Sequence, residues 1–277
     1  MRQTENTTGP ADRTHEDFIN SGGLRQAKLE LKMDEKQIKT AVREHYAQIA
    51  TGRQTSCCEP QSSSQPLISY GQIGTGLPEG ANLGLGCGLP TVNAAIQPGD
   101  VVLDLGSGAG VDVFLAAQAA GETGWVIGVD MTPEMIARAR QNAAQGGYTN
   151  VEFRQGEIEH LPVQDDSVDV ILSNCVINLS PDKRQVFAEM YRVLKPGGRF
   201  SIADVVTTGN VPAALRADLE AWSCCIGGAM DLTEYLSWLR EAGFVGVQVK
   251  DAQGTESENE GVYSIQNVTV EGWKQKP

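Results

Sequence analysis

Val101-Val102-Leu103-Asp104-Leu105-Gly106-Ser107-Gly108-Ala109-Gly110-Val111-Asp112 is a short apolar run of strand-forming residues that breaks into a Gly-rich turn. Behind the turn, Val111 to Ala120 reads as a helix closed by Gly121. Strand, Gly-rich turn and helix make the first unit of a nucleotide-binding α/β sheet, in which glycines let the backbone turn sharply and approach a ligand. A dinucleotide fingerprint wants Gly at 106, 108 and 111, and residue 111 is Val. Asp104, at the end of the strand, would repel a pyrophosphate docked on the helix N-terminus and would suit a ligand bearing an ammonium group. Trp125 to Asp130 reads as the second strand and also ends in an acid, placed to accept hydrogen bonds from both ribose hydroxyls.

Amino group, ribose and no phosphate together describe S-adenosylmethionine. The run Asp104-Leu105-Gly106-Ser107-Gly108-Ala109-Gly110 resembles the first motif of the class I S-adenosylmethionine methyltransferases. A turn that binds nothing would leave unexplained the second acid at the right separation.

Outward from this unit the pattern alternates. A helix opens at Thr132-Pro133-Glu134, with an N-cap hydroxyl and Pro at its first position, and closes at Gly146. Residues 150–155, 169–174 and 199–205 are the third, fourth and fifth strands. Ser180-Pro181 caps a helix that runs to Leu194 and stops at Lys195-Pro196-Gly197-Gly198. Such alternation implies a mostly parallel sheet with helices on both faces, expected to be seven-stranded. Helices are predicted at 213–223 and, behind an Asp231/Glu234 capping box, from Leu232 to Ala242. Residues 244–250 and 262–270 alternate as a terminal antiparallel hairpin. Toward the N-terminus, Asp34 and Gln37 resemble a capping box, and Ile38, Val42, Tyr46 and Ile49 give a helix over 35–51. The chain then divides into a polar arm (1–34), an N-terminal helix and Cys-bearing loop (35–97), the α/β core (98–207) and a C-terminal segment (208–277).

The 277 residues are 40% hydrophobic, enough for a substantial core, and carry 35 acidic residues against 22 Lys and Arg. A net charge of −13 without a basic stripe argues against a nucleic-acid partner. No run of about 18 apolar residues suggests a membrane span. Met1 to Thr8 lacks an apolar signal region, so a cytosolic location is expected. In that compartment the six cysteines are expected to be free, catalytic or metal-binding rather than structural disulfides.

Ligands of such sheets lie at the carboxyl ends of the strands. Gly156, Glu157 and Ile158 follow the third strand and can receive an adenine amino group. Asn174, Cys175, Val176, Ile177 and Asn178 follow the fourth and face the reactive end of the ligand. Cys175 reads equally as a small buried hydrophobe or as a reactive thiol. Cys87, before the first strand, and Cys224-Cys225, beyond the fifth, flank the same edge, so thiols from separate segments could converge there. Zinc is disfavoured, because no Cys-x-x-Cys spacing occurs and His15, His45 and His160 lie far apart.

At this point the chain resembles the arsenite S-adenosylmethionine methyltransferases, over roughly residues 41–250. The resemblance is carried by Gly86-Cys87-Gly88, Asp104 to Gly110, Gly128-Val129-Asp130-Met131-Thr132-Pro133-Glu134-Met135, Gly156-Glu157-Ile158-Glu159 and Cys225-Ile226-Gly227-Gly228-Ala229. The most specific stretch is Ser173-Asn174-Cys175-Val176-Ile177-Asn178-Leu179-Ser180-Pro181-Asp182-Lys183. Two departures stand out. Leu85 takes the place of a Tyr, and the third cysteine is doubled, which leaves Cys224 and Cys225 as alternatives, with Cys225 preferred.

The resemblance implies S-adenosylmethionine held by Asp104, Gly106, Ser107, Gly108, Asp130, Met131, Gly156, Glu157, Ile158 and Asn174. It implies trivalent arsenic bound as substrate, free or as a glutathione conjugate, by Cys87, Cys175 and Cys225. Arsenic with three thiolates keeps one lone pair, which is the nucleophile, so no catalytic His is required. Methylation leaves arsenic formally pentavalent, and two thiols can return it to the trivalent state by forming a disulfide. Cys57 and Cys58 are neighbours, between which a bridge is strained. One of them is expected to reach Cys87 as a redox relay reopened by thioredoxin or glutathione; the alternative is an incidental exposed pair.

Rival readings fit less. A carbon methyltransferase for quinones or sterols has no need of three thiols. A cytosine methyltransferase wants Pro where Asn174 stands. A metalloid buffer has no use for the glycine loop and Asp130.

Overall fold

The computed structural model describes residues 34–54, 76–209, 211–255 and 263–276. The strand–turn–helix unit folds as its sequence demands. β1 (Val101–Leu105) leads through the glycine turn into α3 (Val111–Ala120), and β2 (Trp125–Asp130) follows. Before them come α1 (Glu35–Ala50) and the short α2 (Pro90–Asn93); after them α4 (Pro133–Gly146), β3 (Val151–Gln155) and β4 (Val168–Asn174). A 3-10 turn at Ile177–Leu179 precedes α5 (Lys183–Val193) and β5 (Leu194–Gly209). The chain continues with α6 (Ala213–Arg216), α7 (Leu219–Ser223), β6 (Met230–Asp231), α8 (Leu232–Glu241), β7 (Phe244–Thr255) and β8 (Tyr263–Lys274).

The strands form one eight-stranded sheet in the order β3-β2-β1-β4-β5-β8-β7, with the two-residue β6 on the end of β5. β3 to β5 pair in parallel, and β8 joins antiparallel to β5 and β7. The expected sheet and terminal hairpin are therefore present, and β6 is the strand that periodicity misses. The order reverses between β1 and β4, so a crevice opens at their carboxyl ends.

Side-chain alternation assigns the two faces. Leu103, Leu105, Ile127 and Ile171 pack with Phe187, Met190, Tyr235 and Leu239 of α5 and α8. Val102, Val126, Val170 and Leu172 pack on the opposite face with Val113, Phe114, Ile136 and Ala139 of α3 and α4. Each large apolar side chain so buried contributes about 1.5–3 kcal/mol, which makes the sheet a rigid platform for the loops at its edge.

Three local expectations are corrected. α5 is capped by Asp182, which accepts from Gln185 N–H at 3.0 Å, because the Ser180 hydroxyl is turned to Glu159 at 2.6 Å. β5 is longer than predicted: Pro196-Gly197-Gly198 forms a bulge between the pairs Val168–Leu194 and Val170–Arg199, and the strand continues past it. The predicted 213–223 helix is two short pieces. Asp34–Pro277 is one compact unit, and β5 itself crosses the boundary drawn at 207/208. No helix of the described residues is long and apolar enough to cross a membrane.

Candidate active site

The crevice above β1 and β4 is a cavity of about 1030 Å³, part of it continuous with solvent. Its floor is the glycine turn. Gly106, Gly108 and Gly110 all hold left-handed φ angles (64°, 51° and 98°), which glycine adopts without strain. A β-carbon at Gly106 would fall inside the Val176 side chain, whereas at Gly108 it would meet open space. Gly106 therefore serves close packing of β1 on the segment after β4, and Gly108 leaves room for a ligand.

Three aspartates, Asp104, Asp112 and Asp130, face this cavity. Asp130 accepts from Gly108 N–H at 2.9 Å and Thr132 N–H at 2.8 Å. The Thr132 hydroxyl also serves Asp130, so Thr132 occupies the α4 N-cap without a capping side-chain bond, contrary to expectation. Burial raises the Asp130 pKa; these donors oppose the shift. Asp104, 2% exposed, is held well above the ordinary carboxylate range by burial first, then by the charges of Asp112 and Asp130. Buried carboxylates that repel one another in one cavity fit a cationic ligand, and S-adenosylmethionine carries both an ammonium and a sulfonium. Asp112, on the first turn of α3, is not distinctive in the sequence, since an acid at a helix start reads as dipole compensation. Its burial among apolar α3 neighbours is the only signal.

Of the residues expected to hold the cofactor, Asp104, Gly106, Ser107, Gly108, Asp130, Met131, Gly156, Ile158 and Asn174 line the cavity. Glu157 does not. The turn after β3, closed by His160 N–H to Glu157 O, sends Glu157 outward to pair with Lys39 at 2.7 Å. Glu159 takes the inward place, 3.1 Å from the same ammonium. α1 thus contributes Lys39, Val42 and Tyr46 to the cavity wall. Removing the Asp130 acceptor should weaken S-adenosylmethionine binding by about 1.5–3 kcal/mol. Calorimetry on Asp130→Ala checks this, and an unchanged affinity would remove Asp130 from the site.

The cysteines meet at the other end. Asn174 Nδ2 donates to Gly88 O (2.9 Å) and Asp112 Oδ2 (3.0 Å), while its Oδ1 accepts from Cys87 N–H (3.1 Å) and Gly88 N–H (3.3 Å). This clamp holds the Cys87 loop on the end of β4, and Gly88 permits it, since a β-carbon there would meet Ala203 Cβ at 2.5 Å. Cys87 and Cys175 are joined as a disulfide with their α-carbons 5.9 Å apart. This corrects the expectation that these two thiols stay reduced; the Asn174 clamp brings Cys87 to Cys175. Cys57 and Cys58, the expected relay partners of Cys87, lie outside the described residues.

Cys225 Sγ donates to the Cys175 carbonyl at 3.0 Å, and Cys225 is 6% exposed. Its position comes from the end of α7. Cys225 N–H bonds Trp222 O and Ile226 N–H bonds Ala221 O, a Schellman ending whose left-handed residue is usually Gly. Here it is Cys225, with φ 63°, and Cys175 holds φ 54°. Left-handed backbone costs an ordinary L-residue about 1–2 kcal/mol, and such strain gathers at functional sites. In this disulfide state the sulfurs of Cys87, Cys175 and Cys225 are not an open ligand set, and no metal-holding group of His, Cys, Asp and Glu exists among the described residues.

Beneath Cys225 lies a buried polar cluster. Asp204 accepts from Asn178 Nδ2 (2.8 Å), Val205 N–H (2.9 Å) and Tyr235 OH (3.3 Å). Burial pushes Asp204 up to about 7, against those bonds and the Lys183 charge. Burial lowers Lys183 to about 8, against the charges of Asp204 and Cys225. A carboxyl whose folded pKa is raised contributes stability that is full below about pH 4 and is lost as pH rises through about 7, on the order of 4 kcal/mol at most. Asp204→Asn should therefore flatten the stability profile between about pH 4 and 7. Urea midpoints across that range test it; a variant as pH-dependent as the wild type would contradict the buried charge.

Residues 96–243 match the family described as Methyltransferase domain. The chain is 47% identical over 232 residues to an arsenite methyltransferase of Halobacterium salinarum, covering 78% of this chain and 59% of that protein. It is 41% identical over 209 residues to an arsenite methyltransferase of Aquipseudomonas alcaligenes, covering 72% and 58%. It thus spans less than two thirds of the length of these curated relatives. Among solved structures, an arsenic(III) S-adenosylmethionine methyltransferase from Chlamydomonas reinhardtii superposes with a TM-score of 0.65 at 33% identity, covering 77% of this chain and 75% of that one.

Proposed function

The chain belongs to the arsenite S-adenosylmethionine methyltransferase family, and from that premise we propose that it methylates trivalent arsenic held by Cys87, Cys175 and Cys225, serving arsenic detoxification in the cytosol. The observation that carries the reading is the meeting of these cysteines, from three distant segments, at Cys175, which lines the acid-lined cavity. Cys225 is preferred to Cys224 because its sulfur bonds the Cys175 carbonyl.

When bound, S-adenosylmethionine supplies an electrophilic methyl group on a sulfonium. Asp104 and Asp112 favour its positive charge, and Asp130 accepts from its ribose. Arsenite, or its glutathione conjugate, exchanges each ligand for a cysteine thiolate, releasing hydroxide or thiol. The arsenic lone pair becomes the new As–C bond. Arsenic is thereby oxidised formally by two electrons, and a pair of thiolates returns them by becoming a disulfide. Cys87 and Cys175 are the pair at hand, and thioredoxin or glutathione would reopen the bridge. Cys57 or Cys58 would accept it from Cys87 by exchange. Positioning is the main catalytic device, worth roughly 7–11 kcal/mol in a near-attack geometry.

Incubating the full chain with arsenite, S-adenosylmethionine and a small thiol, followed by arsenic speciation, tests the reading. Methylated arsenicals should appear with matching consumption of S-adenosylmethionine. Bound arsenite with the methyl donor unspent would make the protein a metalloid-binding module instead.

A further inference from the structure

A second cleft, of about 610 Å³ and open to solvent, lies between α2 and the terminal hairpin. It is lined by Cys87, Asn93, Asp251, Gln253, Asn267 and Thr269 among others. Cys175 does not line it, and Cys87 does not line the cofactor cavity. The Cys87–Cys175 disulfide is thus part of the partition between two cavities, with one sulfur's residue on each side. Cys87 is half-buried, whereas Cys175 is 7% exposed and lines the cofactor cavity.

We infer that this cleft is the entry site for a low-molecular-weight thiol carrying amide and ammonium groups, which reduces the disulfide by attacking Cys87. The side chains of Asn93, Gln253 and Asn267 supply amide donors and acceptors, and the exposed Asp251 carboxylate on β7 supplies the counter-charge for an ammonium. Thiolate attack on a disulfide follows the more accessible sulfur. The incoming thiolate forms a bond to Cys87 Sγ, the Cys87–Cys175 bond breaks, and Cys175 leaves as thiolate into the cofactor cavity. A second molecule of thiol attacks the sulfur of the first, releasing the small disulfide and the Cys87 thiolate. Two thiols are oxidised by two electrons in all, and the protein disulfide is reduced by two. Reduction by this route does not require the cofactor cavity to empty. The inference needs the disulfide and the cleft alone, so its failure leaves the arsenic reading untouched.

The test uses the oxidised full chain, with cysteamine and 2-mercaptoethanesulfonate as probes and rates corrected for thiolate fraction. Saturating S-adenosylhomocysteine should leave the rate of disulfide reduction unchanged within about twofold, and Asn93→Trp, which crowds the cleft, should slow it about tenfold or more. Asn93→Trp should still bind S-adenosylhomocysteine normally. Asp251→Asn should reduce the preference for cysteamine about two- to fivefold. Mass spectrometry after acid quenching should find the mixed disulfide on Cys87. Blockage of reduction by S-adenosylhomocysteine, an adduct on Cys175, insensitivity to both substitutions, or absence of the Cys87–Cys175 bridge from the oxidised protein would each overturn the inference.

Discussion

Cys175→Ser and Cys225→Ser should each abolish arsenic methylation while leaving S-adenosylmethionine affinity nearly intact. Serine keeps the size and the backbone conformation but offers a hard oxygen where a soft thiolate is needed. Losing one of the arsenic ligands frees the lone pair from its aim, and misplacement of a reacting group by about 1 Å can cost on the order of 10²-fold in rate. A loss of at least that size is expected for either variant, and Cys87→Ser should lose the first methylation at least. Arsenic speciation gives the rate, and calorimetry with S-adenosylmethionine gives the affinity. Full methylation by Cys175→Ser would mean that the sulfur at the end of β4 is merely packed.

Gly106→Val should remove cofactor binding by a route the sequence does not suggest. A side chain at that position is expected, from the motif alone, to invade the ligand's space. In the folded chain its β-carbon meets Val176 first, at a backbone φ of 64°. Overpacking costs about 1–3 kcal/mol, and the left-handed backbone adds about 1–2 kcal/mol. Val176 follows Cys175 directly, so the displaced segment carries the reactive cysteine with it. Both S-adenosylmethionine affinity and the Cys87–Cys175 bridge should suffer, the first by tenfold or more on the free-energy scale of about 1.4 kcal/mol per decade. Calorimetry and thiol counting read the two effects, and a variant normal in both would refute the packing argument.

The fold was largely legible because its signals are local. β1, α3 and β2 follow from an apolar run, a glycine turn and an acid; α3 and β2 end at Ala120 and Asp130 as read, and β1 runs one residue past Asp104 to Leu105. Sequence signals mislead where a side chain has a more distant partner than its neighbours. Ser180 looks like a cap but is taken by Glu159; Thr132 caps by position while its hydroxyl serves Asp130. The site was legible by residue type and less so by role. Asn174 reads as a ligand contact, yet its side-chain bonds hold a loop 86 residues away in sequence. Glu157 and Glu159 are indistinguishable in sequence, and only the turn after β3 decides which faces inward. That Cys175 and Cys225 both take left-handed backbone depends on how β4 and α7 end against each other. The bridge from Cys87 to Cys175 follows from that same long-range packing.

The most direct measurement is arsenic K-edge X-ray absorption on the reduced full chain carrying one equivalent of arsenite. The account predicts arsenic with sulfur neighbours alone, one from each of Cys87, Cys175 and Cys225, and replacement of one sulfur by oxygen in Cys225→Ser. Oxygen in the first shell of the wild type, or an arsenic environment unaltered by Cys225→Ser, would contradict it.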